Sequence, residues 1–211
     1  MQFANLVTYE FIALWIGWLL SAGSPGPATM GIIGTAMAAG RRSGLAFALG
    51  ICAGSATWGI AAAAGLAALM LANAWVFEVI RYVGAAYLGW LAIKAFRAAL
   101  KGGDAAMGTA FKGDARVLFA KGAAIHLTNP KAVLGWGALF SIIVPVGATP
   151  VVLFQYFGVL FAGSVLVFIG YAFLFSSTRM VQAYARARRW FDLTFAAFFG
   201  FASFKILTAK L

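Results

Sequence analysis

The sequence predicts an all-α integral membrane protein of six transmembrane helices. Three observations carry that prediction: an apolar composition, six apolar blocks of spanning length, and basic residues gathered in alternate loops. Of 211 residues, 64% are hydrophobic and 10% are charged, and the mean hydropathy is +0.94. A soluble domain is nearer 45–50% apolar and about 25% charged. Five acidic and sixteen basic residues, net +11, leave too few charges to cover a surface facing water.

A hydrocarbon core of about 30 Å needs roughly 20 apolar residues per helix. Residues 11–39 form the first such block, interrupted by Ser24-Pro25-Gly26-Pro27. Block 45–71 is rich in Gly and Ala, and block 75–96 begins on Trp75. Block 117–144 is interrupted by Thr128-Asn129-Pro130-Lys131, and blocks 151–175 and 191–207 complete the six. Transmembrane β-strands would alternate polar and apolar residues. The run Ile60-Ala61-Ala62-Ala63-Ala64 does not, and Ala favours helix. Nothing basic precedes the first apolar run, so the expectation is a retained span and not a secretory signal.

Orientation follows from Lys and Arg. The first loop carries Arg41 and Arg42. The third carries Lys94, Arg97, Lys101, Lys112, Arg116 and Lys121. The fifth carries Arg179, Arg186, Arg188 and Arg189, which brings these loops to 12 of the 16 basic residues. Loops two and four have none, so the odd loops are expected in the cytoplasm and both termini outside. Lys205 and Lys210 run against that bias. Trp75 and Trp190 are expected at helix starts in the aromatic belt. The whole chain, 1–211, is expected as one membrane domain, with half-repeats near 1–100 and 113–211 and a cytoplasmic linker at 101–112.

Several function classes drop out. A pI near 10.3 raises nucleic acid as a partner, but here the basic residues are strung between apolar blocks. Cys52 is the only cysteine and His126 the only histidine. Internal disulfides, thiol-pair chemistry and a His-rich metal site are therefore excluded, and no cofactor or metal is expected. The partners expected are a small molecule and the lipid bilayer, with a homodimer left open by the small residues Gly50, Gly54 and Gly59 of the second block.

The two interruptions point to function. Proline removes a helical donor and clashes with the preceding turn, so Pro25 and Pro27 around Gly26 should open the first helix. At 1.5 Å per residue, each break lies about 21–22 Å from the polar markers on either side, near the bilayer midplane. The first broken helix enters from outside and the fourth from inside, as inverted three-helix repeats require. Broken helices at matched depth in two inverted halves are the pattern of secondary transporters. Ordinary proline kinks are the simpler alternative. A passive small-metabolite channel is the rival function. A membrane-embedded enzyme is disfavoured by a single His and no midplane carboxylate.

At these residues the sequence resembles the lysine exporter (LysE) family, which includes exporters of the RhtB type. Ser24-Pro25-Gly26-Pro27-Ala28 resembles the family's Pro-Gly-Pro signature, and Arg41-Arg42-Ser43-Gly44 its Gly-Arg-x-x-Gly loop. Gly50 and Gly54 match its second-span glycines, and Gly84 with Tyr87-Leu88-Gly89 its third span. Leu127-Thr128-Asn129-Pro130-Lys131-Ala132 resembles its Asn-Pro-Lys motif. Order and spacing agree over essentially the whole chain. The resemblance implies export of amino acids or close derivatives across the inner membrane, driven by the proton motive force. In one departure, Ala28 stands where many members carry Asp or Asn.

Ionisable groups inside a membrane are candidates for function. Lys131 follows the second break. Its ammonium either attracts a substrate carboxylate or pairs with carbonyls freed by the breaks. Asn129 and Thr128 offer neutral contacts, or cap the second half-helix. The expected substrate site is Pro25, Gly26, Pro27, Thr128, Asn129, Pro130 and Lys131, with His126, one turn before Pro130, as a possible carrier of the coupling proton. Glu10 is read as an interface residue, Glu78 and Arg81 as a local ion pair, and Asp114 and Asp192 as helix caps. With no acidic group at midplane depth, a neutral or zwitterionic substrate is favoured over a cationic one.

Overall fold

The computed structural model describes residues 9–72, 74–101, 109–143 and 148–208. Among them the regular structure is all helical, in seven elements: α1 (Tyr9–Gly23), α2 (Pro27–Ala72), α3 (Ala74–Lys101), α4 (Ala115–Leu127), α5 (Pro130–Ile143), α6 (Pro150–Leu174) and α7 (Thr178–Thr208). Both sequence breaks are real interruptions. Ser24, Pro25 and Gly26 separate α1 from α2, and Thr128 and Asn129 separate α4 from α5. In each case proline is the first residue of the helix that follows, where its missing N–H is no loss.

The long α2 contains one non-helical residue, Gly40, at φ 80 and ψ 176. That backbone is essentially confined to glycine, and it turns the chain from the end of the first broken span into the second span. Two helical stretches are long and apolar enough to cross a membrane, Pro27–Gly65 and Pro150–Leu174. The broken spans fall short of that length because each is divided, α4 and α5 having 13 and 14 residues. Helices α3 and α7 also present an apolar exterior. Trp90, Ile93, Phe201 and Phe204 are all more than half exposed, a surface that suits lipid better than water.

Three apolar clusters hold the helices together. The first joins α1 and α5 to the N-terminal half of α6, around Trp18, Trp136, Phe140 and Leu160. The second joins α2 and α4 to the C-terminal half of α6, around Ile32, Phe47, Ile51 and Phe168. The third packs α3 on α7, through Leu88, Phe195 and Phe199. The breaks lie where the first two clusters meet, since Trp18 and Phe168 face one cavity there.

The glycines of the second span serve internal packing. A methyl at Gly50 would overlap the Phe119 carbonyl of α4, and one at Gly122 would overlap the Phe47 carbonyl of α2. Gly54 faces His126 at 2.8 Å from where its methyl would stand. The two backbones therefore run in contact.

Two expectations fail on α7. The fifth loop was expected to hold Arg179, Arg186, Arg188 and Arg189, with the helix starting near 191. Instead α7 begins at Thr178 and carries all four arginines, because this stretch has no Pro or Gly and its Ala and Arg residues favour helix. Trp190 and Asp192 are consequently mid-helix, not at a helix start. Asp192 is buried and pairs with Arg188 one turn earlier at 3.7 Å. Asp114 is a cap, its carboxylate accepting the Val117 N–H at 2.9 Å. The side chains of Glu10, Trp75, Glu78, Arg81 and Lys205 lie outside the described set, as do Asn73, Lys210 and linker residues 102–108.

Candidate functional site

The two breaks meet. The Lys131 ammonium, at the start of α5, donates to the Ser24 carbonyl of the first break at 3.1 Å. It also donates to the Ser24 hydroxyl, which in turn donates to the Ser21 carbonyl at 2.9 Å. Of the two roles open to Lys131 in the sequence, this one is pairing with a carbonyl freed by a break. An ammonium has three N–H donors, and Ser24 takes two.

Each break is stabilised locally. In the first, the Gly26 N–H donates to the Thr29 hydroxyl at 3.0 Å, and that hydroxyl lies 3.1 Å from the Ser24 carbonyl. In the second, the Asn129 side-chain oxygen accepts the Lys131 N–H at 3.1 Å, capping α5. Thr128 turns the other way: its hydroxyl donates back to the Ala124 carbonyl at 2.9 Å, closing α4. Capping the second half-helix was one of the two roles open to both in the sequence, and only Asn129 takes it.

The last carbonyls before the breaks are also satisfied, by matching devices. Tyr171 of α6 donates its hydroxyl to the Gly23 carbonyl at 2.7 Å. Trp58 of α2 donates its indole N–H to the Leu127 carbonyl at 3.3 Å. An unpaired carbonyl in an apolar interior would cost several kcal/mol, roughly 2–7, so each break is held open by an aromatic donor from a continuous helix.

Around the Lys131–Ser24 contact lies a cavity of about 30 Å³, room for about two waters. Gly26, Asn129, Lys131 and His126, four residues expected from the sequence, line it. Pro25, Pro27, Thr128 and Pro130 shape the breaks without lining the cavity, and the last three are exposed. His126 is buried, packs edge-on against Phe168 at 5.6 Å, and its Nδ1 has no hydrogen-bond partner. His126 thus brings a buried imidazole with one unpartnered nitrogen to the cavity wall.

Sequence reasoning missed the aromatic wall. Trp18 of α1 and Trp136 of α5 line the cavity, with ring centroids 4.5 Å apart. Trp18 donates to the Leu160 carbonyl and the Ser164 hydroxyl of α6, both at 2.9 Å. Trp136 donates to the Ser55 hydroxyl of α2 at 3.2 Å. One signal was available: membrane tryptophans concentrate at the interfaces, and both of these lie six or seven residues from a break. Ala28, also on the wall, adds no polar group where the family resemblance led one to look for a carboxylate or amide.

Comparison with known proteins agrees with the residues. The LysE type translocator family model matches residues 19–210. The chain is similar to a threonine efflux protein of Salmonella typhimurium, 30% identical over 188 residues, which is 88% of this chain and 91% of that one. It is 31% identical to a leucine efflux protein of Klebsiella pneumoniae over 189 residues, 89% and 88% of the two chains. It is 28% identical to a threonine efflux protein of Escherichia coli over 202 residues, 94% and 98%. No solved structure matches it. The match over nearly the whole length, through both proline breaks, establishes that the chain belongs to the LysE type translocator family.

Proposed function

We propose that the protein is a secondary transporter that exports neutral or zwitterionic amino acids, or close derivatives, from the cytoplasm across the inner membrane. The observation that carries this reading is the Lys131 ammonium bridging the two helix breaks at a cavity whose wall also carries Ser24, Asn129 and His126. The efflux relatives support the substrate class.

In this reading six helices form two inverted three-helix repeats with both termini outside. Helices α1 with α2 up to Gly40, and α4 with α5, are the two broken spans. The paired aromatic donors Tyr171 and Trp58 support the repeat, because each reaches from an unbroken helix to the carbonyl that ends a half-helix. The half-helices starting at Pro27 and Pro130 bring their N-terminal, partly positive ends to the cavity, which favours a carboxylate there. The third Lys131 donor binds that carboxylate, and a substrate competing with Ser24 loosens the link between the halves. Binding thus biases a two-state element, which alternating access requires. His126, on the wall of the same cavity with its Nδ1 unpartnered, carries the coupling proton.

Among the described residues no Asp or Glu lines the cavity, so a cationic side chain meets Lys131 without a counter-charge there. Cells loaded with neutral amino acids should therefore release them when the protein is overproduced, and cells loaded with lysine or arginine should not. Release of the cationic amino acids alone contradicts the reading.

A further inference from the structure

A second cavity, of about 40 Å³, lies on the other side of Trp18, between α1, α3, α5 and α7. Leu14, Gly17, Leu88, Gly135, Ala138 and Phe199 line it, and it shares only Trp18 and Ser21 with the first cavity. The Trp18 ring thus borders both a chamber with Lys131, Asn129 and His126 on its wall and one lined almost wholly by carbon, and the two adjoin at Trp18 and Ser21. Its position is fixed from both sides. The indole N–H is held by Leu160 and Ser164, Trp136 packs against the ring, and a methyl at Gly135 would stand 3.7 Å from its edge.

We propose that the apolar chamber receives the side chain of the substrate, so that the transported amino acids are aliphatic, of valine to leucine size. The inference rests on the export reading above and assigns the other end of the same ligand. The chemistry divides as an amino acid does. Lys131, Ser24, Asn129 and His126 face the carboxylate and ammonium, while the second chamber offers carbon surfaces with one hydroxyl, Ser21, at its mouth. Its volume admits about three water-sized groups, on the scale of the three or four carbons of valine or leucine. Threonine has the shape of valine, but its hydroxyl would be buried against carbon, at a cost that the apolar isostere does not bear.

The test compares export of leucine, valine, threonine and alanine by cells or vesicles containing the full chain. The wild type should export valine and leucine ahead of threonine. Gly135→Val places three further carbons at the chamber, and leucine export should fall about tenfold or more, at least the discrimination one or two carbons give in an apolar pocket. Alanine, whose side chain is a single methyl, should lose less export than leucine, and an unchanged thermal unfolding profile in detergent shows that the variant is folded. Gly135→Ala, whose methyl sits at ordinary contact distance from Trp18, should be intermediate. Equal loss of leucine and alanine export, no loss of either, or threonine exported as well as valine overturns the side-chain assignment while leaving the export reading in place. Failure of the wild type to export any amino acid overturns both.

Discussion

Lys131 is the residue on which the account turns. Its ammonium is the only charged group lining the cavity among the described residues, and it ties α5 to the break after α1. A hydrogen bond to a charged group is worth about 1.5–3 kcal/mol. Lys131→Ala should therefore reduce export by about 100-fold or more while the protein still reaches the membrane, as checked by efflux and by immunoblot of membranes. Near-normal export would remove Lys131 from the site. His126 yields a second prediction. If its imidazole carries the proton, His126→Asn should flatten the dependence of export on pH. An unchanged pH profile with reduced rate assigns His126 to packing against Phe168 alone.

The half-helices and their supports belong to the scale of the element. The breaks were legible in the sequence because proline acts locally: Pro25, Pro27 and Pro130 remove donors wherever the rest of the chain goes. Lys131 and Asn129 were legible for the same reason, being polar residues beside a break. Trp18, Trp136, Tyr171 and Trp58 were not, because their partners lie 69 to 148 residues away. An aromatic residue inside an apolar span looks like core until its donor is seen to reach a carbonyl or a hydroxyl. Asp192 and Trp190 were misplaced for a different reason. Charge marked where the membrane ends, and the end of the membrane was taken for the end of the helix. The glycine contact between α2 and α4 leads to a prediction about stability. Gly50→Ala should destabilise the protein by about 1–3 kcal/mol, the usual penalty for overpacking, because its methyl meets the backbone of Phe119 and no movable side chain. Thermal unfolding in detergent measures this, and an unchanged midpoint would mean that the helices separate freely.

For the whole molecule, the net charge of +11 is a record of sidedness, with 12 of the 16 basic residues on one face of the proposed topology. The interior is nearly free of charge, and the two broken helices face each other across it. That arrangement suits a neutral or zwitterionic cargo moved by a proton gradient, and it suits a passive pore less well, since Trp18 and Trp136 close against each other beside the cavity. The measurement that tests this most directly is neutral amino-acid flux in proteoliposomes of the purified protein, with and without an imposed proton gradient. The account predicts uphill flux that collapses when the gradient is dissipated and is absent in Lys131→Ala. Flux that runs only downhill, unaffected by the gradient, would contradict it and identify a channel.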